Sequence, residues 1–194
     1  MTERPDVLIL CGGEGRRMGG QDKGLVLLDG VPLYRHVLNQ LDHQLVGQVW
    51  ISANRNLACY QQHGHTVLTD TRSGFCGPLA GIEAGLLATC ADYLLVLPCD
   101  VPQLPGDLAT QLWQARSQAA VVRACNAERA QPLACLIHRA TLPVLQAALD
   151  AGHYSVMQWQ ALAGVAEVMF DAPFTNINDA ATLAAIAPPL AMPA

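Results

Sequence analysis

Lysine is almost absent from this chain: its 11 basic residues include a single lysine, Lys23, and the others are arginines. The basic residues are outnumbered by 16 acidic ones, which gives a formal net charge of −5. This balance argues against the broad basic surface that nucleic acids or anionic membranes require. Lys23 lies at the end of a glycine- and arginine-rich loop, where a compact ammonium can follow moving phosphate oxygens. Its position favours a small phosphorylated ligand.

Long apolar runs and paired cysteine motifs are missing as well. No run reaches the length of a transmembrane helix, and no signal-peptide core precedes a cleavage site, so we expect a cytoplasmic protein. The seven cysteines form no Cys-x-x-Cys pair, which favours reduced, buried thiols over disulfides or a zinc site. His63 and His65 have no acidic or cysteine cluster beside them in sequence, so we expect no metal site there.

Strand and helix patterns alternate along the chain. The predicted strands span 6–11, 48–53, 65–69, 93–98, 119–124, 133–138 and 165–170. The predicted helices span 33–45, 79–89, 106–116, 141–149, 155–163 and 179–186. This alternation predicts a three-layer α/β/α, Rossmann-like fold with a mostly parallel sheet. With 52% hydrophobic content in 194 residues, we expect a single domain over 1–187 and a proline-rich, frayed tail over 188–194.

A glycine-rich loop follows the first predicted strand. Its three glycines are Gly12, Gly13 and Gly15. Because glycines have no Cβ, they let the backbone turn sharply, and its free N–H groups form a concavity that suits an anion. The charged side chains that follow are Arg16, Arg17 and Lys23. The loop is a candidate phosphate site, although a glycine turn flanked by solvated arginines has the same spacing.

Two common phosphate motifs do not fit this loop. A Walker A loop needs Gly-Lys-Ser/Thr, whereas Asp22 precedes Lys23 and Gly24 follows it. A dinucleotide fingerprint needs a third glycine where Met18 stands, which argues against a nicotinamide-dependent oxidoreductase.

Two aspartates end predicted strands. Asp100 follows the apolar run 93–98, at the edge where ligands of parallel sheets gather. Mg²⁺ takes hard oxygen ligands, commonly one or two carboxylates plus substrate phosphates, so Asp100 is a candidate metal ligand. The alternative is a turn residue before Pro102. Asp70 is a candidate to contact the nucleotide, metal or acceptor, or else a turn cap.

The run Leu10-Cys11-Gly12-Gly13, together with Arg17-Met18 and Lys23, resembles the signature of nucleotidyltransferases that attach NMP to a phosphorylated acceptor. Within that group, the stretch 16–25 is similar to the molybdenum cofactor guanylyltransferases, and later motifs extend the resemblance over nearly the full chain. It implies transfer of GMP from GTP to molybdopterin, release of pyrophosphate and Mg²⁺ as cofactor. It also implies transient contacts with molybdoenzyme chaperones.

The resemblance further implies roles for individual residues. The implied catalytic residues are Arg17, Lys23 and Asp100, and Asp100 is also the implied metal ligand. The implied nucleotide contacts are Leu10, Cys11, Gly12, Gly13, Gly15, Lys23, Ser52, Asn54, Asp70, Gly77, Leu79 and Asp100. The implied acceptor contacts are Gln131, Asn176 and Asn178. Cys11 stands where the family usually has alanine, and Gln131 is expected just before a strand.

Several positions keep a second interpretation. Ser52 replaces an asparagine that the family often has, so either Ser52 or Asn54 contacts the nucleotide. The resemblance implies that backbone atoms of Gly77 and Leu79 recognise guanine, but the small residues after Gly77 suit close helix–sheet packing as well as a ligand. Asn178 contacts the acceptor, or else Asn178 or Asp179 caps the following helix.

Three other functions share parts of this pattern. A cytidylyltransferase acting on the same cofactor, or a sugar-phosphate nucleotidyltransferase, would have the same loop and the same aspartate, and would differ in the base and acceptor pockets. A non-catalytic nucleotide-binding or cofactor-carrier protein would release no pyrophosphate.

Overall fold

The computed structural model describes residues 4–12, 21–62, 64–74 and 76–186. Its strands are β1 (Asp6–Leu10), β2 (Leu27–Leu28), β3 (Val31–Pro32), β4 (Val49–Ser52), β5 (Thr66–Leu68), β6 (Tyr93–Pro98), β7 (Val121–Cys125), β8 (Ala130–His138) and β9 (Val165–Met169). Its α-helices are α1 (Leu33–Asn39), α2 (Leu57–Gln61), α3 (Pro78–Ala88), α4 (Leu108–Gln114), α5 (Leu142–Asp150), α6 (Val156–Ala163) and α7 (Ala180–Ile186).

Within these ranges, seven strands form one sheet in the order β5-β4-β1-β6-β8-β7-β9. The pairs β5–β4, β4–β1, β1–β6 and β7–β9 are parallel, and β8 runs antiparallel to both of its neighbours. The expectation of a mostly parallel sheet is confirmed. The carboxyl ends of β5, β4, β1 and β6 therefore meet at one edge of the sheet, where the start of β8 also lies.

The two faces of the sheet are covered by different helices. In β1, Val7 and Ile9 pack with side chains of α1 and α4, whereas Leu8 and Leu10 pack with α3, α5 and α6. This alternation is the period of two that an extended strand imposes. The predicted three-layer α/β/α arrangement is confirmed.

Helix α3 lies unusually close to the sheet. A Cβ atom on Gly85 would come within 2.8 Å of Leu8 Cδ2, and one on Gly81 would come within 2.5 Å of Ser52 Oγ. Close helix–sheet packing is therefore one role of these small residues, as the sequence allowed.

Two predicted boundaries differ from the structure by more than two residues. The helix predicted over 33–45 ends at Asn39 because Asp42 forms a local turn, in which its side chain accepts from the Gln44 N–H at 2.8 Å. Strand β8 begins at Ala130, so Gln131 lies inside the strand rather than before it.

Among the strands and α-helices of the described residues, three were not predicted. Strands β2 and β3 form a hairpin around Asp29 and Gly30, whose φ angles are 52° and 76°. An Asp-Gly pair between apolar residues is a readable hairpin signal. Helix α2 was also missed. The predicted tail 188–194 lies outside the described residues, and in the part that is described no helix has the length and apolarity to cross a membrane.

Candidate active site

Lys23 and Asp100 meet at the carboxyl edge of the sheet, although they are 77 positions apart. Lys23 Nζ donates to Asp100 Oδ2 at 2.5 Å and to Asn178 Oδ1 at 2.7 Å. The Lys23 and Asp100 side chains keep 24% and 16% of their surface exposed. The structure thus brings together two residues predicted as catalytic and one predicted on the acceptor side, in a place that a ligand can reach.

The segment before α7 completes this group. Ile177 N–H donates to the Asp100 carbonyl at 2.8 Å, and Asn176 Nδ2 lies 3.4 Å from Asp100 Oδ1. Asp179 accepts from the Thr182 N–H at 2.7 Å, so Asp179 caps α7. The Thr182 amide and hydroxyl lower the pKa of Asp179. Asn178 therefore does not cap α7, and its side-chain oxygen accepts from Lys23 instead.

The buried carboxylate of Asp22 fixes the backbone around Lys23. Asp22 is 7% exposed and accepts from the Gly24 N–H at 3.2 Å, Tyr60 Oη at 2.7 Å and Asn56 Nδ2 at 3.1 Å. It thereby caps the 3₁₀ turn Lys23–Leu25. Sequence reasoning missed Asp22, because its burial depends on α2, which was also missed.

Cys11 and Leu10 have packing roles in this structure. Cys11 is buried, and a Cβ on Gly24 would lie 3.0 Å from its Sγ. Burial, and then the hydrogen bond with Cys99, raises the pKa of the Cys11 thiol well above its ordinary value, so the thiol stays protonated. The Leu10 carbonyl accepts from the Cys99 N–H at 3.2 Å and continues the sheet.

A second polar group lies at the ends of β1, β4 and β5. Asn54 Nδ2 donates to Asp70 Oδ2 at 2.8 Å, and the Asp70 N–H donates to Asn54 Oδ1 at 2.9 Å. A Cβ on Gly12 would lie 3.9 Å from Asn54 Nδ2. Ser52 is buried beneath α3, whereas Asn54 is exposed, so of the two candidates Asn54 is the accessible one.

The loop after Asp70, residues 70–74, is fixed by a fork of ionic hydrogen bonds; we call it the anchored loop. Arg72 donates from Nε to Glu83 Oε2 at 2.7 Å and from Nη2 to Glu83 Oε1 at 2.8 Å. Its Nη1 also donates to Asp150 Oδ1 at 2.6 Å. Hydrogen bonds with Glu83, and then Asp150, raise the pKa of Arg72. Glu83 is 2% exposed, and a buried acid of this kind is not recognisable in the sequence.

The predicted base-binding residues lie at the start of α3. Among the described residues other than its chain neighbours, none has an atom within 4 Å of a Cβ built on Gly77, whereas the Leu79 side chain is fully buried. Leu79 can therefore offer only backbone atoms to a ligand. Recognition of guanine at these two positions stays a prediction.

On the far side of Asp100 lie Gln131 and Arg129. Gln131 is 7% exposed, and in the described part of the chain its buried Nε2 has no hydrogen-bond partner. Arg129 Nη2 donates to Asn176 Oδ1 at 2.7 Å. Arg129 was not predicted, because it lies in a turn and only the fold places it near Asp100.

The oxygens around Lys23 suit a hard cation. Among the residues that the structure describes, no three His, Cys, Asp or Glu side chains cluster as a metal site. Asp100 and Asn178 nevertheless direct two oxygens at one ammonium, and Mg²⁺ commonly takes one carboxylate and draws other ligands from substrate phosphates. The predicted site residues Gly13, Gly15 and Arg17 lie outside the described residues.

Comparison with known proteins identifies the family of this chain. Residues 7–185 match the family described as the MobA-like NTP transferase domain. The chain is 46% identical over 183 residues to a molybdenum cofactor guanylyltransferase of Shewanella frigidimarina, covering 92% of this chain and 93% of the relative. It is 40% identical over 181 residues to the protein of the same name in Serratia proteamaculans, covering 92% and 91%.

A solved structure shares the fold. Molybdopterin-guanine dinucleotide biosynthesis protein A from Archaeoglobus fulgidus superposes with a TM-score of 0.76 at 21% identity, covering 93% of this chain and 95% of the other. At that identity the likeness supports the Rossmann-like fold alone. The family match and the curated relatives show that this chain belongs to the MobA-like NTP transferases.

Proposed function

We propose that this protein transfers GMP from GTP to molybdenum-loaded molybdopterin, forming the guanine dinucleotide cofactor and releasing pyrophosphate. The observation that carries the proposal is the position of Lys23 Nζ, between Asp100 Oδ2 and Asn178 Oδ1 at the ligand edge of the sheet. The curated relatives, which are named for guanylyl transfer, support the choice of nucleotide and acceptor.

The reaction needs no nucleophilic side chain. An oxygen of the terminal phosphate of molybdopterin attacks the α-phosphorus of GTP, and a new P–O bond forms there. The bond from the α-phosphorus to the β-bridging oxygen breaks, and its electron pair leaves with pyrophosphate. The protein supplies position and charge neutralisation, as in other phosphoryl-type transfers.

Different residues of the chain neutralise charge on the phosphates and bind the nucleoside. Lys23 offsets negative charge on the phosphates, after exchanging its bonds to Asp100 and Asn178 for phosphate oxygens. Arg17 and the loop glycines, which lie outside the described residues, are expected to act on the same phosphates. Asn54 and Asp70 stand beside Gly12 and are suited to hold the nucleoside.

Mg²⁺ dependence is part of the proposal. Asp100 would hold the ion, and the remaining ligands would come from GTP phosphates, water and the Asn178 amide oxygen. The ion would supply additional positive charge where pyrophosphate develops. Transient contacts with molybdoenzyme chaperones stay a prediction of the family resemblance.

The test is pyrophosphate release with Mg²⁺ and molybdenum-loaded molybdopterin, compared for GTP, CTP, ATP and UTP. We expect release with GTP alone, and formation of the guanine dinucleotide by mass spectrometry. Release with CTP would assign a cytidylyltransferase. Absence of release with every nucleotide would contradict transfer to this acceptor and leave a binding protein.

A further inference from the structure

Arg129 is presented by a rigid turn between β7 and β8. Asn126 Oδ1 accepts from the Glu128 N–H at 3.2 Å and from the Arg129 N–H at 3.0 Å. The Asn126 N–H donates in turn to the Arg129 carbonyl at 3.0 Å. Side-chain-to-backbone bonds of this kind fix the turn, so the backbone of Arg129 is preorganised.

The side-chain amide of Asn176 links the Arg129 guanidinium to Asp100, the proposed metal ligand. Asn176 Oδ1 accepts from Arg129 Nη2 at 2.7 Å, and Asn176 Nδ2 lies 3.4 Å from Asp100 Oδ1. Arg129 is exposed, and among the described residues no carboxylate forms an ion pair with it. Within the described part of the chain, Arg129 is thus a cation near Asp100 that no carboxylate neutralises.

In the strand order of the sheet, β6 lies between Arg129 and the predicted nucleotide-binding residues. Gly12, Asn54 and Asp70 follow β1, β4 and β5, on one side of β6 in the strand order. Arg129 precedes β8, on the other side of β6. Lys23 reaches Asp100 through Oδ2, whereas Asn176 reaches it near Oδ1. Lys23 and Asn176 therefore contact different oxygens of Asp100, and Arg129 is linked to Asp100 through Asn176.

We propose that Arg129 binds the terminal phosphate of the acceptor and that Asn176 orients its guanidinium, an inference that rests on the proposed guanylyl transfer. A guanidinium can bind two phosphate oxygens through parallel N–H donors. Bound there, the acceptor phosphate approaches Asp100 from the side opposite the GTP residues, with its remaining oxygen free to attack the α-phosphorus.

The experiment compares the wild-type protein with Arg129→Gln and Arg129→Lys in steady-state transfer, varying acceptor at saturating GTP and then GTP at saturating acceptor. GTP binding is measured separately by calorimetry. For Arg129→Gln we expect the acceptor KM to rise about 10- to 100-fold, the range for losing a hydrogen bond to a charged group. Arg129→Lys should recover part of this loss, and the Kd for GTP should stay within about twofold of wild type.

A matched control is Arg139→Gln, which removes one positive charge next to Asp92, at the opposite end of β6. It should leave the acceptor KM unchanged. An unchanged acceptor KM in Arg129→Gln, with active wild-type protein, would overturn the assignment of Arg129 alone. A parallel loss of GTP affinity would also overturn it. No transfer by the wild-type protein would overturn this inference together with the proposed function.

Discussion

The ion pairs Lys23–Asp100 and Arg72–Glu83 are built in different ways. On the Lys23 side, a lysine, an aspartate and an asparagine contact one another while remaining partly exposed, at 24% for Lys23 and 16% for Asp100. In the anchored loop, Arg72 binds Glu83, which is only 3% exposed. A solvent-accessible ion pair is worth little and can exchange partners, whereas breaking a buried one leaves a charge without solvent. Lys23 and Arg72 are equally exposed, at 24%, so the two pairs differ in the acid: Asp100 keeps contact with solvent, whereas Glu83 does not.

The largest effects on turnover should come from changes in the Lys23–Asp100 pair, of which Asp100→Asn is one. We expect the transfer rate to fall roughly 10²- to 10³-fold, because the proposed metal ligand is weakened at the point where charge develops. The thermal unfolding midpoint should change little, since the Asp100 side chain is partly exposed. The transfer rate is measured as pyrophosphate release over a range of Mg²⁺ concentrations, and the unfolding midpoint is measured by calorimetry. A large fall in the unfolding midpoint with unchanged turnover would show that Asp100 stabilises the fold rather than the reaction.

Arg72→Gln should have the complementary effect. It leaves the Glu83 carboxylate buried without its guanidinium partner, so we expect the unfolding midpoint to fall by roughly 5–10 °C. The matched control is Asp150→Asn, because Asp150 binds the same arginine but is 68% exposed. The control should shift the midpoint by only about 1–2 °C. Equal shifts in the two variants would show that the anchored loop does not depend on the buried pair.

A smaller effect is expected for Asn54→Ala. The change removes both hydrogen bonds to Asp70 at the predicted nucleoside site. We expect the KM for GTP to rise about 3- to 10-fold, the range for one neutral hydrogen bond, with kcat within about twofold of wild type. Initial rates at varied GTP separate the two constants. A fall in kcat without a change in KM would show that Asn54, like Lys23, acts in the transfer step rather than in GTP binding.

The sequence predicted those parts of the site that depend on local patterns. Asp100 was found because an apolar run ends just before it, and Lys23 because a glycine-rich loop precedes it. Their contact follows from the pairing of β1 with β6, which is typical of the predicted fold. The choice between Asn178 and Asp179 as helix cap could not be made, because both side chains can cap a helix.

The buried charges could not be predicted in the same way. Asp22, Arg72 and Glu83 resemble ordinary surface residues in the sequence, and their roles arise only when distant elements surround them. Asp22 requires Tyr60 from α2, a helix of five residues with no clear periodicity. The hairpin at Asp29-Gly30, by contrast, had a recognisable turn signal that was overlooked.

The Lys23→Ala variant shows whether the Lys23–Asp100 contact marks a transfer site. Turnover with GTP and molybdopterin is measured beside the thermal unfolding midpoint. We expect turnover to fall roughly 10²- to 10³-fold, because charge stabilisation on the phosphates is lost, while the midpoint moves by less than about 4 °C, because a partly exposed ion pair contributes little. Turnover close to that of the wild-type protein would contradict this expectation.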